Sequence, residues 1–170
     1  MKKLAVIVLL LGIITVVVSF YSHKKNIALK ELLHNCESYG IVKANVFFSN
    51  PFKANRIIFD LNDDSSEHER RIDPVHLLLQ FSAKLDLEKI DRLILSHNGS
   101  NKIYIMGSDL KSLANSYRNG GRIWSFTHLP ENIYLMSGEQ PFSEKSGKLL
   151  QVIGKQAEDV NSLIEIWTGH

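Results

Sequence analysis

Ser96, His97 and His128 are the residues of this chain whose types best suit hydrolytic chemistry. A serine nucleophile needs a histidine within hydrogen-bond reach to accept its proton. His97 and His128 each end a predicted strand, so they meet Ser96 only if those strand ends share one edge of a sheet. The chain has no G-x-S-x-G pattern. The hydrolase hypothesis therefore depends only on whether the fold brings these side chains together.

The stretch from Ser108 to Lys111 matches S-x-x-K, the nucleophile motif of penicillin-recognising enzymes. Those enzymes also carry K-T-G and S-D-N elements, and the chain contains neither. Ser108 is better explained as the N-cap of a helix, because serine oxygens accept hydrogen bonds from the first helical N–H groups.

Metal ligation has two weak candidates. Residues 60–64 begin like a calcium-binding EF-hand loop, but Ser65 replaces the required glycine and Arg71 replaces the bidentate glutamate. His68-Glu69 has no second histidine at H-E-x-x-H spacing. A metal held by a convergence of His97 and His128 remains an alternative. The sequence assigns no metal, cofactor-binding or catalytic residue.

Two further sets of residues have a functional and a structural interpretation. Four arginines form an anion pocket if the fold brings them together, namely Arg70, Arg71, Arg118 and Arg122. Otherwise they are scattered surface residues. Cys36, the only cysteine, excludes an intrachain disulfide. Its place on an apolar helical stripe favours a buried core residue over a nucleophile.

Residues 4–20 form an uncharged, largely apolar run between Lys2-Lys3 and Lys24-Lys25. The run reaches the lower limit of about 17–25 residues for a membrane-spanning helix. It also resembles a secretory signal with a basic head, and cleavage after Ser19 is the alternative to a permanent anchor. Phe20 and Tyr21 suit a cleavage point poorly and suit a membrane interface well, so an uncleaved anchor is favoured.

The charge balance bears on partners. Lys2 and Lys3 are the only charged residues among the first 22, so the remaining chain holds 18 basic against 18 acidic side chains. A nucleic-acid partner needs a basic face, which this balance disfavours. We divide the chain into residues 1–25, a signal peptide or membrane anchor, and residues 26–170, a single domain.

Periodicity predicts an α+β domain with a mostly antiparallel sheet and helices packed on it, in the order α-ββα-ββα-β-α. Asp73 and Pro74 mark the start of the second helix, with Ile72 packing on Leu77. The predicted elements are a helix at 27–38 ending at Gly40, strands at 41–49 and 56–62, a helix at 74–85, strands at 91–97 and 102–107, a helix from Ser108 to Gly120, a strand at 122–128 and a helix at 144–167.

Three details of this prediction are specific. Asn98 and Gly99 are typical of a hairpin turn, because both residue types accept positive φ. Trp124 and Phe126 share one face of the predicted strand at 122–128. The last helix is expected to bury a stripe that runs through Leu149, Ile153, Ala157, Val160, Ile164 and Trp167.

The stretch 103–134 carries IYIMGSDLKSLANSY and FTHLPENIY. It resembles a group of small uncharacterised bacterial envelope proteins that have an N-terminal export or anchor segment, an I-x-G-x-x-L junction and a P-E-N-(I/V)-Y turn. The resemblance implies a place in the bacterial envelope and implies no activity. From the residues, Gly107 joins strand to helix, and Pro130 and Asn132 form a turn that Tyr134 anchors.

These observations lead to two expectations about function. The first is a non-enzymatic binding or accessory domain, anchored in the inner membrane or released to the periplasm, that contacts an envelope protein. The alternative is an envelope hydrolase with a histidine-containing site.

Overall fold

A computed structural model describes residues 23–36, 42–50, 54–62, 73–145 and 149–169, without the side chains of residues 73, 149 and 150. The domain is α+β, as expected. The helices are α1 (23–34), α2 (Asp73–Lys84), α3 (Gly107–Arg118), α4 (Arg122–His128) and α5 (Leu149–Thr168), and the strands are β1 (Ala44–Phe48), β2 (Arg56–Leu61), β3 (Arg92–His97), β4 (Ser100–Met106) and β5 (Ile133–Leu135).

The five strands form one sheet in chain order, β1 to β5. The pairs β1–β2, β3–β4 and β4–β5 are antiparallel, whereas β2 and β3 are parallel. A parallel pair needs a crossover connection, and α2 lies in that connection. The sheet is therefore mixed rather than purely antiparallel.

One face of the sheet carries the core. Alternate strand residues point to this face and are buried against the helices, among them Ile57 and Phe59 of β2 and Leu93 and Leu95 of β3. The Phe59 ring lies 5.6 Å from the Phe81 ring of α2 and 5.8 Å from the Trp167 indole of α5. Two helices distant in sequence thus pack against the same residue of β2.

Helix α1 closes an edge of the sheet. Its Leu29 and Leu33 are buried in the core, and the Asn26 side chain accepts a hydrogen bond of 3.0 Å from the Phe48 main-chain N–H. This contact occupies one outward-facing donor of β1, which limits pairing of that edge with another strand. Gly40, the predicted end of the helix, lies outside the described residues, as does the apolar run at 4–20; no helix within the described ranges is long and apolar enough to span a membrane.

The crossover helix and the hairpin follow the sequence prediction. In α2 a stripe with helical spacing, formed by Val75, Leu78, Leu79 and Ser82, is buried together with Leu77. The proposed cap by the Asp73 side chain and the contact from Ile72 lie outside the described atoms. Asn98 and Gly99 have φ values of 50° and 77°, so β3 and β4 are joined by the predicted turn.

Gly107 begins α3 directly after β4. A Cβ atom there would lie 1.8 Å from the main-chain oxygen of Ile90, so only glycine fits this close approach. The expectation that Ser108 caps the helix is wrong. The N-cap is Met106, and the Ser108 hydroxyl donates instead to the Asp109 carboxylate over 3.1 Å.

The expected strand at 122–128 is also wrong, because Arg122–His128 forms helix α4. The Ser125 hydroxyl, which is buried, donates to the carbonyl oxygens of Leu113 and Gly121 at 2.9 and 3.1 Å. The bond to Leu113 attaches this helix to α3. A strand does occur at Ile133–Leu135, where only a turn was expected, and it pairs with residues 103–105 of β4.

The buried stripe of α5 differs from the prediction at its first half. Val160, Ile164 and Trp167 are buried as expected, but Ile153 is 47% exposed and Ala157 is exposed. Gln156, a polar residue, is instead only 5% exposed. Its amide donates to the Glu131 carboxylate over 3.3 Å, which compensates the cost of burying it. Leu149 lies among the residues whose side chains are not described.

Candidate functional site

The end of β3 brings together several residues whose types suggested chemistry. Asp60 of β2 pairs in register with Ser96 of β3. The Asp60 carboxylate is buried and accepts the Gly99 main-chain N–H at 3.0 and 3.2 Å, so it holds the hairpin turn in place. The Asp60 carboxylate therefore stabilises the turn between β3 and β4. Positions 63–71 of the proposed calcium loop lie outside the described residues.

Ser96 is not arranged as a nucleophile. Its side chain is completely buried, and its hydroxyl donates to the Asn101 amide oxygen over 2.6 Å. A catalytic serine would direct that proton to a histidine in a cleft open to substrate. His97 lies beside it in the strand, with its Nε2 atom 3.4 Å from the Asn98 amide nitrogen.

The imidazole ring of His128 makes its hydrogen bonds and its ring contact within its own helix. Its Nδ1 atom lies 3.0 Å from the Trp124 carbonyl oxygen and 3.1 Å from the Thr127 hydroxyl. Its ring stacks on the Trp124 indole at 4.4 Å. Among the described residues, the hydrogen bonds of the His128 ring and of the Ser96 hydroxyl go to other partners, so no Ser96–His128 pair for hydrolysis is formed. Within the described ranges, no group of three or more His, Cys, Asp or Glu side chains is placed to hold a metal ion.

The remaining catalytic candidates have structural partners. The Lys111 ammonium, which S-x-x-K chemistry would need near Ser108, lies 2.5 Å from the Glu88 carboxylate. The Cys36 thiol is buried and lies 3.5 Å from the Leu32 carbonyl oxygen, as expected of a core residue, whereas His34 is exposed. His68 and Glu69 lie outside the described residues.

The structure does gather positive charge at one place, which we call the cation pocket. The cavity has a volume of about 260 Å³ and lies where α2, α3 and α4 meet. Arg118 and Arg122, two members of the predicted arginine set, lie in it, while Arg70 and Arg71 fall outside the described residues. Its lining consists of Gln80, Ala83, Lys84, Tyr117, Arg118 and Arg122.

Arg118 stabilises the end of α2 from within the pocket. Its guanidinium donates to the carbonyl oxygens of Ala83 and Leu85 at the end of α2, the latter over 2.9 Å, and to the Asn115 amide oxygen over 2.9 Å. It thereby satisfies carbonyl groups that the end of a helix leaves without partners. The Lys84 ammonium similarly donates to the Asn35 carbonyl oxygen after α1, over 2.5 Å.

Helix α4 presents an exposed face beside the pocket, which we call the α4 surface and define by Arg122, Ile123 and Trp124. Ile123 is 82% exposed and Trp124 is 42% exposed. The sequence prediction missed this surface because it assigned these residues to a strand. The end of α3 at Gly120 and the start of a new element at Arg122 were predicted, but the type of that element was not.

Comparison of the chain with models of protein families, with curated proteins and with solved structures found no match. The function is therefore inferred from the described residues and from the apolar run at the N-terminus.

Proposed function

We propose that this protein is a non-enzymatic component of the bacterial envelope that is held at a membrane by residues 4–20 and docks another envelope protein through the α4 surface. The observation that carries the docking role is the exposure of Ile123 and Trp124 side by side on a short helix whose other side is fixed. Trp, Tyr and Arg dominate the binding energy of protein interfaces, and the α4 surface has two of the three.

The α4 surface is held in one conformation before any partner arrives. The Ser125 hydroxyl ties the helix to Leu113, and the Asn132 amide donates to the His128 carbonyl oxygen over 2.8 Å. The stack of the Trp124 indole on the His128 ring restricts the exposed side chain. Since a fixed side chain loses little entropy on binding, this arrangement favours docking.

Exposed apolar residues are ordinary when they occur singly. Ile27, Met136 and Ile153 are exposed in this way, each on a different segment. Ile123 and Trp124 differ because they are adjacent in the chain and directly follow Arg122, which lines the cation pocket. This combination of an aromatic anchor with a polar rim is typical of a protein interface.

The membrane assignment rests on the apolar run at residues 4–20 and on the resemblance of residues 103–134 to bacterial envelope proteins. Helix α1 is described from residue 23 onward and is packed into the core by Leu29 and Leu33. An anchor at 4–20 would thus connect through a short segment to a helix that belongs to the domain. The alternative of an envelope hydrolase has no comparable support, because the Ser96 hydroxyl donates to Asn101.

Site-specific crosslinking in native membranes tests the proposal. A photoreactive amino acid replaces Ile123 in one protein and Met136, which is also exposed, in a matched control. We expect an adduct of one discrete size with a second protein from position 123 and none from position 136. Trp124→Ala should lower the yield at position 123 severalfold. The proposal is wrong if position 123 gives no adduct or if both positions give the same products.

A further inference from the structure

We propose that the cation pocket receives carboxylate side chains from an acidic segment of the docked protein, whose apolar residues cover Ile123 and Trp124. This inference rests on the proposed docking function and names the chemistry of the partner. The observation behind it is a juxtaposition: Lys84, Arg118 and Arg122 line one cavity of about 260 Å³ that opens beside the α4 surface.

Neutral groups hold all three cations in place. Carbonyl oxygens fix Lys84 and Arg118, and the Arg122 guanidinium lies over the Tyr117 ring, 5.5 Å from its centroid. Such contacts order a side chain without cancelling its charge. The Arg122 guanidinium therefore keeps its N–H donors for an incoming group, and Lys84 and Arg118 keep those that the carbonyl groups do not use.

The three cations lack the carboxylate partners that two lysines have elsewhere in the fold. Lys111 lies 2.5 Å from Glu88, and Lys145 lies 2.9 Å from Asp159. Among the described residues, no carboxylate pairs with Lys84, Arg118 or Arg122. Like charges gathered at one cavity repel one another and raise its positive potential, and an anion relieves both effects. Since basic and acidic side chains balance over the chain beyond residue 22, the positive potential is confined to the neighbourhood of the cation pocket.

The surroundings favour a protein carboxylate over other anions. An inorganic phosphate ion would use the cations but would leave Ile123 and Trp124 exposed. A bilayer presents a broad surface, whereas a side chain that projects from a partner protein reaches into a cavity between helices. An acidic segment with apolar residues satisfies both parts of the surface, because its carboxylates meet the cations while its apolar side chains cover α4.

The test measures binding of defined probes to the full chain in neutral detergent micelles, followed by the change in tryptophan emission on binding. Trp124 is exposed, whereas Trp167, the other tryptophan, is buried. The first probe is an octapeptide of alternating Glu and Leu, and its Gln-Leu counterpart is the uncharged control. Inorganic phosphate and soluble dihexanoyl phosphatidylglycerol represent a free ion and an anionic lipid. We expect saturable binding of the Glu-Leu peptide that weakens as salt rises, with no saturable binding of the other three probes.

Variants then locate the binding. Arg122 is exposed, so its substitution leaves the carbonyl contacts of Lys84 and Arg118 intact. Arg122→Glu should weaken peptide binding about tenfold or more, the loss expected when a charge pair becomes a repulsion. Lys89→Glu, which changes the net charge equally at an exposed position outside the pocket, should leave binding unchanged. Circular dichroism of each variant verifies that the fold is retained.

Several results would overturn the proposal: no saturable binding of the Glu-Leu peptide, equal binding of the Gln-Leu peptide, or equal weakening by Lys89→Glu. Displacement of the peptide by micromolar phosphate or phosphatidylglycerol would identify a free ion or a lipid as the occupant instead. If the crosslink at position 123 forms while the peptide fails to bind, docking stands and the acidic partner is wrong. If the peptide binds while the crosslink is absent, the pocket stands and the docking function is wrong.

Discussion

The indole Nε1–H of Trp167 donates a hydrogen bond of 2.9 Å to the main-chain carbonyl oxygen of Ser96. The indole is completely buried, and the bond joins the end of the last helix to the central strand of the sheet. A buried polar group without a partner costs free energy, so this contact lets a large aromatic side chain fill the core with its N–H satisfied. Helix α5 is thereby part of the domain core.

Trp167→Phe should lower the free energy of unfolding by about 1–3 kcal/mol. The substitution keeps an aromatic ring but leaves the buried Ser96 carbonyl oxygen without its donor, and such a loss has this magnitude. Urea unfolding of the chain in detergent micelles measures the change. An unfolding midpoint equal to that of the unaltered protein would show that the bond contributes nothing to stability.

The two faces of α5 provide a matched pair of substitutions. Ile164→Ala removes a buried side chain and should cost about 2–5 kcal/mol. Ile153→Ala changes a side chain that is 47% exposed, so its cost should be within about 0.5 kcal/mol. Parallel unfolding curves measure both. Equal losses in the free energy of unfolding would mean that the face of α5 with Ile164 is no more buried than the face with Ile153.

Two glycines provide a second pair. Gly107→Ala places a Cβ atom 1.8 Å from the Ile90 oxygen, so we expect a loss of about 1–3 kcal/mol as the junction of β4 and α3 is forced apart. Gly154 lies inside α5 with open space around it, and Gly154→Ala should stabilise the protein by about 0.5–1 kcal/mol. Thermal unfolding of both variants checks the opposite signs. A neutral Gly107→Ala would mean that Gly107 does not lie so close to the Ile90 oxygen.

The sequence predicted the elements whose signals are local. The stripe of α2 and the Asn98-Gly99 turn follow from residue types within a few positions of each other. Helix α4 was missed because Trp124 and Phe126 alternate as in a strand, while the stabilising bond from Ser125 reaches Leu113, twelve positions away. Strand β5 was missed because its three residues form a strand only by pairing with β4, which lies about thirty positions earlier in the chain.

The candidate site was predictable only in part. The sequence offered an anion pocket with Arg118 and Arg122 only as an alternative to scattered surface arginines, and no spacing rule indicates that Lys84 joins them from another helix. The position of Gln156 shows a similar limit, because a polar residue is buried in α5 when Glu131 supplies its partner. Both features depend on contacts between distant segments, which periodicity does not report.

The N-terminal run should remain attached to the mature protein. Residues 4–20 are long and apolar enough for an anchor, and Phe20 and Tyr21 suit cleavage poorly. Intact-mass measurement of the protein purified from its natural source checks this, with fractionation into membranes as the companion result. A mass that begins at Phe20 would instead indicate a signal peptide cleaved after Ser19 and a domain released from the membrane.

Native mass spectrometry of the complex extracted from membranes tests the docking function most directly. If the α4 surface docks a different protein, as proposed, we expect the unaltered protein to carry an additional mass that is not a multiple of its own. Ile123→Ser combined with Trp124→Ala should remove that mass while the chain stays folded, since both side chains are exposed. A species of one chain, a multiple of one chain, or a complex that the double variant leaves intact would contradict the proposed function.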